Sequence, residues 1–260
     1  MGELPNGLPG VVRSTPLAGG GVARVRRAEL ADGRTVVVKD TPYPADLEAE
    51  GLQALGAAGV RVPEVLGVGP HTLVLEHVHA DADLEALGAE LATAHGQRGE
   101  RFGWHRDNVI GPLPQPNPPC EDFTELFVEH RLLPYAGDLP DALAHRLRRA
   151  CDTALPELLE HEQPPSLVHG DLWAGNILDD RVVIDPAVHH GDRELDLAML
   201  DLFGGVPAPL QAGYDAVWPL DEGWRRRRPA LQLYHLLVHV RLFGAGYHGA
   251  VASRLEALGC

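Results

Sequence analysis

Hydrophobic and polar positions change rhythm about a third of the way along the chain. Early on the pattern is that of short strands. Thr35-Val36-Val37-Val38 is β-branched, ends at Lys39, and is separated by the turn Asp32-Gly33 from a strand starting near Val22. A glycine cluster, Gly19, Gly20 and Gly21, precedes this hairpin. After Pro42 and Pro44, the stretch from Ala45 to Ala58 is rich in helix formers, with Asp46 early and Gly59 just past its end, which predicts a helix. Leu73-Val74-Leu75-Glu76-His77-Val78 predicts a buried strand leading out of a small lobe. The resulting division is a flexible lead-in over residues 1–12, a small lobe over 13–78 and a larger lobe over 79–260.

Beyond His79 helical spacing takes over. Asp83 can cap a helix in which Leu84, Leu87 and Leu91 recur at i, i+3 and i+7, running to about His95. The proline-rich stretch from Gly111 to Pro119 predicts an ordered loop or extended crossover. Helices are expected from Asp122 to about Leu133 and from Pro140 to about Leu155, where Pro156 ends or kinks the second. Pro229 to Phe243 is nearly apolar all round with proline at a plausible first position, so a central buried helix is expected there.

Composition narrows the function. Hydrophobic residues make up 45% of 260, and the 29 glycines and 22 prolines punctuate apolar segments rather than forming a low-complexity tract. No uncharged apolar run approaches the ~18 residues of a membrane span, and the N-terminus carries no export or anchoring pattern. With 22 basic residues against 37 acidic ones the net charge is −15, which argues against nucleic-acid and anionic-membrane partners. Cys120, Cys151 and Cys260 show no disulfide or zinc spacing, so a reducing cytoplasm is expected.

The strongest chemical signal is His169-Gly170-Asp171-Leu172-Trp173-Ala174-Gly175-Asn176, followed by Val182-Val183-Ile184-Asp185-Pro186. An Asp five residues before an Asn, then a short hairpin ending in a second Asp, is what phosphoryl transfer requires. Asp171 can accept the proton of an attacking hydroxyl. Asn176 and Asp185 offer one neutral and one charged oxygen to Mg²⁺. Lys39, the only lysine in the chain, ends a strand downstream of the glycines and can reach the α/β-phosphates. Its carboxylate partner should come from the following helix, where spacing leaves both Glu48 and Glu50 open.

These segments, together with VLEHV from Val74, FGWHRDNVIGPLPQPN from Phe102, FVEHRLLP from Phe127 and IDPAVHHGDRELDLAMLDLFGG from Ile184, resemble the fructosamine kinase (ketosamine-3-kinase) family, nearly end to end. That family lies within the aminoglycoside phosphotransferase and choline kinase group. The resemblance implies an α+β, bilobal protein-kinase-like fold with a small β-rich N-terminal lobe and a larger, mainly helical C-terminal lobe. It implies ATP and Mg²⁺ as cofactors, with Gly19, Gly20 and Gly21 over the phosphates and adenine against the backbone of Glu76, His77 and Val78. It favours Glu48, four residues before Leu52, over Glu50 as the partner of Lys39. Asp171 becomes the base, Asn176 and Asp185 the metal ligands, and Trp173 a platform for a sugar. The implied reaction is phosphorylation of a ketosamine at its sugar 3-hydroxyl, on a small molecule or a glycated protein, promoting release of the amine.

Gly21, Val22 and Ala23 stand where family members often carry small polar residues and an Asn, so phosphate contacts there fall to backbone amides. The rival readings are a same-fold kinase of an aminoglycoside, choline or amino sugar, and a nucleotide-binding pseudokinase. His235 and His239 lie one turn apart but lack the intervening Glu of a zinc helix, and Arg225 to Arg228 reads as a solvated run. Arg193, Glu194 and Asp196 read as scaffold pairs. Oligomeric state is left open.

Overall fold

The computed structural model describes residues 4–17 and 23–260. Five antiparallel strands form the small lobe's sheet: β1 (Val11–Pro16), β2 (Arg24–Leu30), β3 (Thr35–Asp40), β4 (Val65–Val68) and β5 (Thr72–Glu76), in the spatial order β1-β2-β3-β5-β4. Helix α1 (Ala45–Ala57) covers one face. The period of two in β3 decides what meets it. Val36 and Val38 turn to the far face and pack with Ala28, Leu30 and Val74, whereas Val37 joins Leu73, Leu75 and α1 residues Ala45, Ala49 and Leu52. Lys39 shares the parity of Val37 and so faces α1.

Two elements of this lobe are absent from the sequence reading. β1 is an edge strand with only Val11 partly buried, so it carries no hydrophobic alternation. β4 has four residues, interrupted by Gly67. The expected flexible lead-in over residues 1–12 does not hold for 4–12. Leu4 is buried in the sheet's far-face cluster, Leu8 and Val11 pack against it, and Pro5–Gly7 form one helical turn.

The larger lobe starts with α2 (Leu84–His95), capped as expected by the Asp83 carboxylate accepting the Ala86 amide at 2.9 Å. A small hairpin, β6 (Asn108–Ile110) and β7 (Leu113–Gln115), occupies the proline-rich stretch. Helix α3 (Phe123–Phe127), capped by Asp122, runs on into a wider turn over Val128–Leu132 and a tighter one over Leu133–Asp138. The next expected helix divides at Thr153 into α4 (Asp141–Asp152) and α5 (Ala154–Leu159), which places Pro156 in a first turn, where its missing N–H costs little.

Four short strands then frame the loops of interest: β8 (Ser166–Val168), β9 (Ile177–Leu178), β10 (Val182–Val183) and β11 (His189–Gly191). β8 pairs with β11 and β9 with β10. Helices α6 (Glu194–Leu202), α7 (Ala208–Val217), α8 (Trp224–Phe243) and α9 (His248–Ala257) complete the lobe. α8 is buried in its core as expected, but it begins at Trp224, so Pro229 lies inside it. Arg225 to Arg228 therefore form its opening turns and are not all solvated. Arg227 is buried against both oxygens of Glu194, and Arg228 meets Asp201 at 3.0 Å. Among the described residues no helix is long and apolar enough to cross a membrane.

Candidate active site

The loop after β8 is held from below. Gly170 has φ +83°, and a Cβ there would lie 2.2 Å from the Ala187 carbonyl oxygen, so only glycine fits. Asp196, fully buried on α6, accepts the His169 and Gly170 amides at 2.7 and 2.8 Å and the His95 Nε2–H at 3.1 Å. Burial opposes its charge, yet the bonds from His95 and the Gly170 amide hold its carboxyl below the ordinary range. Tyr214 donates its hydroxyl to His95 Nδ1 at 2.7 Å. From α8, His235 Nε2 donates to the Gly170 carbonyl at 2.8 Å, and burial keeps this imidazole neutral by lowering its pKa to about 4. His169, also pushed down by burial, donates Nε2–H to the Ile184 carbonyl at 3.0 Å and accepts the Asp171 amide on Nδ1 at 3.2 Å. His169, His235 and the buried Asp196 carboxylate thus fix the backbone leading into Asp171.

Asp171 itself is half-buried, and its carboxyl is pushed up to about 7 by burial, then by the charges of Asp185 and Asp196. Asn176 donates its side-chain amide to the Asp171 carbonyl at 2.8 Å. Asp185 sits at φ +57°, in the left-handed region that a non-glycine residue occupies at a cost. One of its oxygens meets Lys39 Nζ at 2.7 Å, and the same ammonium meets Glu48 at 2.7 Å. Lys39 and Glu48 are only 5% and 3% exposed. Burial works against the Lys39 charge, but Asp185 and Glu48 outweigh it and raise its pKa above the ordinary value.

The two glutamates left open by spacing are therefore divided. Glu48 meets Lys39, supported by the Tyr43 hydroxyl donating to it at 3.2 Å. Glu50 turns to the larger lobe, where it accepts Trp104 Nε1–H at 2.6 Å and meets His105 and Arg106. Nothing in the helix pattern marks this second role, because the partner segment lies about fifty residues downstream.

The donor set fits a hard dication. Asn176 spends its amide nitrogen on the Asp171 carbonyl, leaving its oxygen as a neutral ligand, and Asp185 keeps a second oxygen beyond its bond to Lys39. Glu48 and Asp185 place two carboxylates against one ammonium, with Asp171 close enough to Asp185 to feel its charge, so a polyphosphate entering here needs a further positive charge. A different cluster, His161, Asp192 and Glu194, brings three potential ligand atoms together, but both Glu194 oxygens are occupied by Arg227 and the Glu194 amide donates to Asp192.

The other expected residues fall as follows. Gly19, Gly20 and Gly21 lie outside the described residues. Glu76 is the last residue of β5 and its amide donates to the Glu64 carbonyl at 2.9 Å, so His77 and Val78 lie just past the sheet at the junction of the lobes. Trp173 is 40% exposed; its ring lies over Gly175, where a Cβ would come within 2.3 Å of it, and meets Phe203 edge-on. His235 and His239 share no ligand geometry: one supports Gly170, and the other donates Nδ1–H to the His235 carbonyl at 2.7 Å.

Comparison with known proteins agrees with this geometry. Residues 14–258 match the sequence profile of a family described as fructosamine kinase. A Synechocystis protein named "Probable ketoamine kinase" is 39% identical over 231 residues, covering 80% of this chain and 76% of its own. A Thermus thermophilus protein of the same name is 36% identical over 252 residues, covering 93% and 92%. A crystal structure from Thermobifida fusca, provisionally assigned as a fructosamine-3-kinase, superposes with TM-score 0.87 at 40% identity over 96% of this chain and 94% of that one. A choline/ethanolamine kinase family protein from Mesorhizobium loti, at 18% identity and TM-score 0.64 over 97% and 94%, shares the fold alone. The small antiparallel lobe and the larger helical lobe are thus those of a kinase-like phosphotransferase, and the chain belongs to the fructosamine kinase family.

Proposed function

We propose that the chain transfers the γ-phosphoryl group of ATP to the sugar 3-hydroxyl of a ketosamine, a step that destabilises the adduct and promotes release of the free amine. The observation that carries this reading is Asp171: a half-buried carboxyl with its pKa near 7, on a loop held rigid by Asp196 and His235, beside the Lys39–Asp185 pair. Asp171 takes the proton from the attacking oxygen as the new O–P bond forms and the bond to the β-phosphate oxygen breaks, so ADP leaves. Lys39, fixed by Glu48, offsets charge on the nucleotide phosphates, while the backbone of His77 and Val78 accepts the adenine edge. Asn176 and Asp185 would hold Mg²⁺, which would supply charge neutralisation on the phosphates. Trp173 offers an aromatic face to the sugar.

The test is Mg²⁺-dependent ADP release by the purified protein and by Asp171→Asn across ribuloselysine, fructoselysine, their parent sugars, an aminoglycoside and choline, with the phosphorylated position located by NMR. Ketosamine-dependent turnover with phosphate on the 3-oxygen, reduced roughly 10²–10⁴-fold in the variant, is expected. Turnover on the aminoglycoside or choline alone would transfer the site to another acceptor, and wild-type turnover in Asp171→Asn would remove Asp171 as the base.

A further inference from the structure

Arg131, in the wider turn that follows α3, touches none of the reacting groups, yet its side chain is 1% exposed. Among the described residues no carboxylate bonds to it, and its Nε–H has no partner. A guanidinium buried on those terms costs stability that an apolar side chain would spare. Its two Nη groups, however, open a chain of hydrogen bonds that ends two and three residues beyond Asp185. Nη1 donates to the Pro116 carbonyl and Nη2 to Asn117 Oδ1. Asn117 Nδ2 donates to Asn108 Oδ1 at 2.9 Å, and Asn108 Nδ2 to the Val188 carbonyl at 2.7 Å. Gln115 Nε2 donates to Asn108 Oδ1 at 2.8 Å and to the Ala187 carbonyl at 3.1 Å, while its Oε1 accepts the Tyr234 hydroxyl at 2.7 Å. Asn108, Gln115, Asn117 and Tyr234 are all buried.

The arginine decides which way these amides point. A guanidinium has donors only, so Asn117 must turn its oxygen to Arg131 and its nitrogen to Asn108. Asn108 then has to accept, which leaves its own nitrogen for Val188. Gln115 also gives its nitrogen to that Asn108 oxygen, so its nitrogen faces Ala187 and its oxygen faces Tyr234. Reversing any one amide would set like against like at the next.

The carbonyls held in this way belong to a strained loop. Asp185 has φ +57° and directly precedes Pro186, a position that favours extended backbone, so its conformation persists only where both flanks are fixed. On the earlier flank, the Ile184 carbonyl accepts His169 Nε2–H and the Ile184 amide donates to the Asn176 carbonyl, each at 3.0 Å. On the later flank, the Ala187 amide donates to the His169 carbonyl at 2.8 Å, and the Ala187 and Val188 carbonyls are gripped from the β6–β7 hairpin.

We infer that Arg131, Asn117, Asn108 and Gln115 are positioning residues for Asp185: the buried cation sets the direction of three amides that clamp Ala187 and Val188, and the clamp fixes the carboxylate presented to a metal-bound nucleotide. The inference rests on the proposed reading of Asp185 as a Mg²⁺ ligand.

The test compares the wild type with Asn108→Asp, Gln115→Met and Arg131→Lys, and with Val251→Ala, a core position on α9 outside the network. Two quantities are read: the Kd of ADP in Mg²⁺ and in EDTA, by calorimetry, and amide hydrogen exchange over residues 184–188 in the metal-free protein. Asn108→Asp and Gln115→Met should each reduce the tightening that Mg²⁺ brings by about 10-fold or more, as loss of an outer partner of a metal ligand does, with the Kd in EDTA changed by less than about 2-fold. Both should also speed exchange over residues 184–188. Arg131→Lys keeps a cation with donors only and should retain most of the tightening. Val251→Ala loses core packing and stability but should keep both the tightening and the slow exchange. Gln115→Met buries no new charge, so it reports even if Asn108→Asp fails to fold. Undiminished Mg²⁺ tightening or unchanged exchange in Gln115→Met, or equal losses in Val251→Ala, overturns the positioning role and leaves the metal reading standing. Absence of any Mg²⁺ tightening in the wild type overturns both.

Discussion

Replacing Asp171 with asparagine should stabilise the folded chain while removing its turnover, and both effects have one cause. Burial, with Asp185 and Asp196 nearby, lifts the Asp171 carboxyl from its ordinary 3.8 to about 7. In the unfolded chain the group ionises near the ordinary value, so the folded state holds the proton more tightly and its ionised form costs stability. That cost is absent below pH 3.8, grows as pH rises to about 7, and is constant above it. Between pH 5 and the plateau it amounts to a ceiling of about 2.7 kcal/mol, at roughly 1.36 kcal/mol per pH unit. Asp171 is only half-buried, so water screens part of this and about 1–1.5 kcal/mol is the working figure. For a chain of this length that corresponds to roughly 2–5 °C in melting temperature. The assay is thermal unfolding of wild type and Asp171→Asn at pH 5 and pH 8.5 without nucleotide or metal. Asparagine has no titration, so the difference between the two proteins, compared at the two pH values, isolates the carboxyl. The variant's advantage should be larger at pH 8.5 by the stated amount; equal differences at both pH values would refute the reasoning.

Glu48→Gln removes one of the two carboxylates on the buried Lys39 ammonium; about 10²-fold loss in kcat/KM for ATP is expected with an unchanged circular dichroism spectrum, and near-wild-type kinetics would refute it. Gly170→Ala places a methyl 2.2 Å from the Ala187 carbonyl oxygen at a positive φ, so a loss of roughly 3 kcal/mol or more in urea unfolding is expected. Asp196→Asn turns one of the two oxygens that accept the His169 and Gly170 amides into an NH2 donor and leaves one of those amides without its acceptor, which should cost about 1–3 kcal/mol in stability. It also removes a negative charge that raises the Asp171 pKa, so the acid limb of the pH–rate profile should move to lower pH; an unmoved limb contradicts that coupling.

What the sequence showed and what it hid divide along a physical line. Lys39, Asp171, Asn176 and Asp185 were legible because their chemistry depends on short, local spacings, and α2 because Asp83 caps a regular apolar stripe. β1 and β4 were hidden because an exposed edge strand and a four-residue strand broken by glycine need no alternating pattern. Leu4 looked like part of a loose lead-in because proline and glycine surround it, although its apolar side chain completes the sheet's far face. The start of α8 was misplaced by the usual link between proline and a first helical position, while Glu194 and Asp201, the α6 partners of Arg227 and Arg228, lie some thirty residues earlier. Asp196 was read as scaffold without its partners, since the His169 and Gly170 amides come to it only through the fold.

The pair Glu48 and Glu50 shows why periodicity left a choice that the tertiary structure does not need to make. Successive helical positions point about 100° apart, so residues 48, 50 and 51 of α1 face three directions. Glu48 reaches Lys39 on β3, Glu50 reaches Trp104, His105 and Arg106 in the larger lobe, and Gly51 packs against the proline that follows Asp185, where a Cβ would lie 2.9 Å from Pro186 Cγ. Arg106 also meets Asp46 at 2.7 Å, one turn earlier on the same helix. Rotating α1 to break any of these contacts would disturb the others. The helix therefore ties the ammonium at Lys39, the Trp104–Arg106 segment and the loop carrying Asp185 into one register, and the placement of Asp185 against Lys39 depends in part on Glu50, Gly51 and Arg106, which bond to neither.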